Sequence, residues 1–86
     1  MIFLPSKKFE KHLKKLGKAI KLEFDERIKM FVSDKFHPLL NNHKLHPPYS
    51  DCRSIDITGD IRTVFKEIDK DTILLIDIGP HSALYE

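Results

Sequence analysis

The hydrophobic pattern of this chain changes period near residue 50, and that change limits the available folds more than any other feature. Up to residue 35 the apolar side chains recur at the three-and-four spacing of an amphipathic helix. Phe9, Leu13, Leu16 and Ile20 make one stripe, and Phe24, Ile28, Phe31 and Val32 make a second. From residue 52 the pattern becomes alternation: Arg53, Ile55 and Ile57 interleave with Cys52, Ser54 and Asp56, as along a strand with one buried face. A chain of 86 residues holds one core, not two. The helices and the strands must therefore share it, with the helices laid on a sheet face.

The punctuation sets the element order. Residues 1–4 read as a short strand ended by Pro5, and Ser6 is placed to cap a helix that begins at Lys7. Gly17 divides the helical stretch in two, as in a helical hairpin, and Pro38 stops the second part. Residues 38–50 read as a loop, with Asn41-Asn42 and Pro47-Pro48 as turn signals. Three strands follow, separated by Thr58-Gly59-Asp60 and Asp69-Lys70-Asp71, and short connections of that kind make an antiparallel meander. Residues 79–86 are expected to form no more than a turn or a frayed strand. The expected architecture is a single α+β domain over 1–86, ordered β-α-α-β-β-β, with two N-terminal helices packed on one face of an antiparallel sheet. If Ile55 and Ile57 face the helices, Ser54 and Asp56 point to the opposite, open face.

Hydrophobic content of 41% and charged content of 33% suit a globular protein and exclude a disordered one. The single Cys52 can form no internal disulfide and completes no thiolate zinc site. The opening Met1–Pro5 is too short for a signal-peptide core, and no apolar run approaches the ~20 residues of a membrane span, so a cytoplasmic location without membrane contact is expected. Charge is unevenly distributed. Residues 1–50 carry eleven Lys/Arg against five Asp/Glu, a balance of +6, while residues 51–86 carry four against eight, a balance of −4. A basic first half favours a polyanionic partner. Lys7, Lys11, Lys14, Lys18 and Lys21 share the helical period on a face distinct from the apolar stripe, which makes either an RNA-docking stripe or a solvated surface.

The second half carries the most specific pattern. The string H-K-L-H-P-P-Y-S-D-C-R-S-I-D-I-T-G-D-I-R-T-V-F, from His43, together with G-P-H-S-A-L-Y over residues 79–85, resembles the YafQ-like branch of the RelE/ParE toxin superfamily. The shared features are a His-x-Leu loop, an arginine at the start of a sheet strand and a Gly-x-His-(Ser/Ala)-x-Leu-(Phe/Tyr) ending. The resemblance covers about half the chain with specificity; the helical half agrees in order and in lysine content. It implies a RelE-like fold and a ribosome-dependent messenger-RNA endonuclease of a type II toxin-antitoxin system. Its implied partners are a cognate antitoxin, the ribosome and messenger RNA.

The residue types fit that chemistry. Metal-independent RNA cleavage uses the ribose 2′-hydroxyl against the adjacent phosphate. It needs a base for that hydroxyl, an acid for the leaving 5′-oxygen and positive charge on the phosphate oxygens. His81, in the position of the family's catalytic histidine, is the first acid-base candidate, and His43, its loop histidine, is the second. Tyr85 matches the family's aromatic tail residue, which stacks on a base or orients the phosphate. Asp60 matches its turn aspartate, and Arg62 resembles an arginine that grips the scissile phosphate. Lys44 and Arg53, with Lys7, Lys11 and Lys14, are the expected RNA contacts. No metal or other cofactor is expected, because His43-x-x-His46 lacks further ligands at usual spacing.

Plainer roles stand beside these. Arg62 could pair across strands with Glu67 or Asp77, Arg53 could make a structural salt bridge, and Asp60 could serve only its turn. Ser54 and Asp56 stand where some family members have Asp and His, which removes one acid-base group. The same fold also serves ParE-type toxins that bind DNA gyrase without catalysis, and an inactive homologue could act only in an antitoxin complex.

Overall fold

In the computed structural model, which describes residues 1–84, a short strand β1 (Ile2–Pro5) runs directly into helix α1 (Lys7–Leu16). Ser6 fixes the junction. Its hydroxyl accepts the amide of Phe9 at 3.0 Å, which caps the helix, and donates to the carbonyl of Ile76 at 2.8 Å, which ties the cap to the sheet. A cap of this kind stabilises by about 1 kcal/mol. At Gly17 the backbone turns to φ +92°, a conformation that disfavours any side chain, and α2 (Lys18–Ser33) folds back from it. The two helices lock through Phe9 and Phe24, whose ring centroids are 5.2 Å apart. Pro38 does not itself stop α2, which ends at Ser33 with Asp34 as its cap; it begins a single 3₁₀ turn, Pro38–Leu40, that buries Leu40 completely.

The sheet has five strands in the order β1-β5-β4-β3-β2, with β2 at His43–Lys44, β3 at Arg53–Asp56, β4 at Ile61–Asp69 and β5 at Thr72–Pro80. The β3-β4-β5 meander is antiparallel, as its short turns require. Two features depart from the expected all-antiparallel sheet. β1 pairs parallel to β5, from Ile2 opposite Thr72 to Pro5 opposite Leu75, so the sheet is mixed. β2, two residues inside the expected loop, adds a fifth strand through His43 opposite Ser54 and Lys44 opposite Arg53.

The helices cover one sheet face. Phe31 sits over Phe65 edge-on at 5.3 Å and over Phe3 at 6.0 Å, with Ile55, Ile57, Ile73, Leu75 and Ile78 completing this core. α1 also grips the sheet through a buried carboxylate. A bulge in the β4–β5 pairing places Asp77 beside α1, where it meets His12 Nδ1 at 2.6 Å and Lys8 Nζ at 3.5 Å. A carboxylate buried this deeply needs such partners.

The opposite face is not open. Leu45, Cys52, Val64 and Leu84 form a second, smaller core there, with Tyr49 and Ile76 packed against it. Its cover is the loop between β2 and β3 and a helical turn, α3 (His81–Leu84), where a turn or a frayed strand was expected. Ser54 is therefore fully buried rather than presented to an open surface. Asp56 stays half-buried and pairs with Arg62, its direct neighbour across β3 and β4, at 2.9 Å.

Candidate functional site

A cavity of about 470 Å³ opens where the β2–β3 loop meets α3, lined by His43, Lys44, Leu45, His46, Pro47, Pro48, Tyr49, His81 and Leu84. Backbone bonds place the segments that line it. The Leu45 amide donates to the Cys52 carbonyl at 3.1 Å, which prolongs the β2–β3 ladder by one step. Between those residues, Tyr49 donates to the carbonyl of His46 and Cys52 to that of Tyr49, each at 2.9 Å, so the loop closes as two consecutive turns. Leu45 and Cys52 anchor both ends in the second core. The other wall arrives from the end of β5. The His81 amide donates to the carbonyl of Asp60 at 3.1 Å, which joins α3 to the turn between β3 and β4.

Two imidazoles from distant parts of the chain thus face one cavity. The Nδ1 of His43 lies 2.7 Å from the carbonyl of Asn41. A carbonyl oxygen only accepts, so that nitrogen carries the hydrogen, and the neutral ring presents the Nε2 lone pair. His46 and Lys44 add a second imidazole and an ammonium to the same wall.

Arg62 is not one of the residues that line this cavity; it stands on β4, beside the end of β5 that leads into α3. Its Cα pairs with that of Gly79, two residues before His81, and strand alternation puts its side chain on the face of Val64, where α3 packs. Asp56 engages its Nε, and a guanidinium has further N–H donors to offer a phosphate. The cross-strand partner is Asp56 rather than Glu67 or Asp77, since Glu67 pairs with Lys35 at 3.3 Å and Asp77 with α1.

The remaining sequence-derived residues divide. Asp60 enters the site through its backbone carbonyl, and the turn itself is held by the Thr58 hydroxyl, which accepts the amides of Asp60 and Ile61. Arg53 lies outside the cavity lining and makes no salt bridge among the described residues; its Nε donates to Asn42 Oδ1 at 2.7 Å, and its guanidinium sits 5.5 Å from the Phe36 ring. Lys7, Lys11 and Lys14 are exposed along α1 and none lines the cavity. Tyr85 lies outside the described residues. Sequence reasoning took Pro47 and Pro48 as loop punctuation and gave Tyr49 no role; three consecutive ring side chains between two histidine-bearing segments were the available signal.

Cys52 takes no part as a nucleophile. Burial, then the neighbouring Asp51, pushes its thiol up to about 11, while a hydrogen bond from Lys66 holds Asp51 below its usual range. Among the described residues no group of three or more His, Cys, Asp or Glu side chains is placed to hold a metal ion, and no helix is long and apolar enough to cross a membrane.

Comparison with known proteins bears on the family and the fold. The family model of the bacterial toxin YafQ, of type II toxin-antitoxin systems, matches residues 2–86. No curated protein matches by sequence. Among solved structures, YafQ from E. coli strain BL21(DE3) superposes with a TM-score of 0.81 at 18% identity, covering 98% of this chain and 97% of that one. The E. coli DinJ-YafQ complex gives 0.77 at 19% identity over 98% and 97%. A metal-bound toxin from Helicobacter pylori gives 0.75 at 27% identity over 99% of both chains.

Proposed function

Because the chain belongs to the YafQ family of type II toxin-antitoxin toxins, we propose that it is a metal-independent endonuclease that cuts messenger RNA on the ribosome. The observation that carries this reading is the meeting of His43 and His81 at one cavity; Arg62, outside the lining, pairs on β4 with Gly79, two residues before His81. His43, through Nε2, takes the proton of a ribose 2′-hydroxyl. The oxygen attacks the adjacent phosphorus, and the bond to the 5′-oxygen breaks. His81 gives that leaving oxygen its proton, so the products are a 2′,3′-cyclic phosphate and a free 5′-hydroxyl. Arg62 and Lys44 stabilise the charge that builds on the non-bridging oxygens. Asp56, where some relatives have a histidine, serves to orient Arg62 rather than to move a proton. Tyr85 extends the same tail and would stack on a base. Arg53 braces the start of the histidine loop.

The E. coli YafQ structure in complex with DinJ supports a cognate antitoxin as the partner that keeps this activity in check, in the cytoplasm where translated messages are found. The test is primer extension on a message translated with purified ribosomes. Wild-type protein should cut within codons only when ribosomes are present, and His81→Ala should cut ~10²–10⁴-fold more slowly with an unchanged circular-dichroism spectrum. An equally active His81→Ala removes His81 from the chemistry. Growth arrest with DNA damage and uncut messages would assign the protein to gyrase instead.

A further inference from the structure

We infer that the wall built by Pro47, Pro48 and Tyr49 is a nucleobase subsite, which receives one base flanking the scissile phosphate and makes Tyr49 a determinant of where the message is cut. The inference rests on the nuclease reading above and adds to it the part of the substrate that the histidines do not touch.

The cavity lining is of two chemical kinds. His43, Lys44, His46 and His81 supply imidazoles and an ammonium, which suit a phosphodiester; Pro47, Pro48, Tyr49, Leu45 and Leu84 supply rings and aliphatic groups. A nucleotide has the same division, an anionic phosphate joined to a flat, largely apolar base. At about 470 Å³ the cavity falls within the range of small-ligand sites and exceeds what a phosphate group alone requires.

The reaction itself calls for such a surface. In-line attack by a 2′-hydroxyl needs the backbone turned out of its stacked, helical form, and that turn pulls a base away from its neighbour. An aromatic face that replaces the lost stacking restores the energy without reading hydrogen bonds. Tyr49 is suited to this because it is already held. It is half-buried against the second core, its amide is bonded to His46 and its carbonyl to Cys52. The two prolines before it have fixed backbone dihedrals. A surface immobilised before the ligand arrives loses little entropy on binding.

The experiment compares wild type, Tyr49→Phe and Tyr49→Leu on a library of translated messages, with cut positions read by sequencing of the 3′ fragments and folding checked by Tm. Leucine keeps apolar bulk against the second core and removes the ring face. The subsite predicts that Tyr49→Phe cuts like wild type, whereas Tyr49→Leu loses about ten- to a hundredfold in rate. It also predicts that Tyr49→Leu alters the base distribution on one side of the cut. Unchanged rate and distribution in Tyr49→Leu overturn the inference while leaving the nuclease reading intact, and so does a rate loss that is uniform over all base combinations. Loss in both variants assigns the effect to the hydroxyl and overturns a stacking role. Wild-type protein that cuts no message on ribosomes overturns both readings together.

Discussion

The two faces of the sheet are built to different standards. Eleven buried residues, four of them phenylalanines, lock α1 and α2 onto the first face, whereas four small or aliphatic residues hold a loop and one helical turn onto the second. Every side chain of the proposed cavity stands on the lightly built face. The contrast teaches a division of labour. Helix-face burial supplies most of the folding energy, so the opposite face is free to carry exposed imidazoles, prolines and an ammonium that contribute nothing to a core.

The largest expected effects test that division. Phe31→Ala empties the space between Phe3 and Phe65 and should destabilise by ~3–5 kcal/mol, a large share of the stability of a domain this size. Leu45→Ala, in the second core, should cost about 2 kcal/mol, the low end for such a change, because its surroundings are a loop that can settle. Cleavage should reverse the order: Leu45→Ala frees the loop that holds His43 and Tyr49 and loses activity while still folded. Urea unfolding of both variants, with cleavage measured below the transition, checks this. If Leu45→Ala unfolds as readily as Phe31→Ala, the two faces share the stability and the division fails.

The same contrast explains what could be read from the sequence. The helix-covered face was legible because its residues repeat. Phe9, Leu13, Leu16 and Ile20 recur at helical spacing, Ile55 and Ile57 alternate, and Ser6, Gly17 and Pro5 mark the boundaries by local chemistry. The second core has no period, since Leu45, Cys52, Val64 and Leu84 come from a loop, a strand start, a mid-strand and a helical turn. β2 and α3, of two and four residues, are shorter than any hydrophobic repeat. They exist because they pair with or pack on elements already formed. His43 and His81 were legible as residue types and by resemblance; their meeting depended on those two short elements. The partner of Arg62 was hidden for a related reason: only the register of β3 against β4 shows that Asp56 is its neighbour.

A smaller effect concerns the exposed lysines of α1. Gly17 breaks the expected lysine stripe, leaving Lys7, Lys11 and Lys14 exposed on α1 and outside the cavity. If they dock on ribosomal RNA, replacing all three with Ser should weaken ribosome binding at low salt. It should also flatten the plot of log affinity against log salt by roughly 2, at about 0.7–0.9 per phosphate contact. Stability and the position of cuts should not change. Identical salt dependence in the triple variant would mark the stripe as a solvated face.

The smallest effect separates the faces by pH. Cys52 belongs to the second core only, and burial raises its thiol to about 11 against an ordinary 9. Below pH 9 the thiol is protonated whether the chain is folded or not, so its contribution to stability is complete there. Between about 9 and 11 the unfolded chain releases the proton while the folded chain retains it, and stability falls as pH rises through that window. Cys52→Ala should remove this part of the alkaline decline, at the cost of a small cavity, whereas substitutions in the helix-side core should leave the slope as it is. Urea midpoints measured from pH 8 to 10.5 decide the matter. An unchanged slope in Cys52→Ala would mean that the loop opens ahead of global unfolding and lets the thiol titrate in the native protein, which would make the cavity-bearing face looser still than its packing suggests.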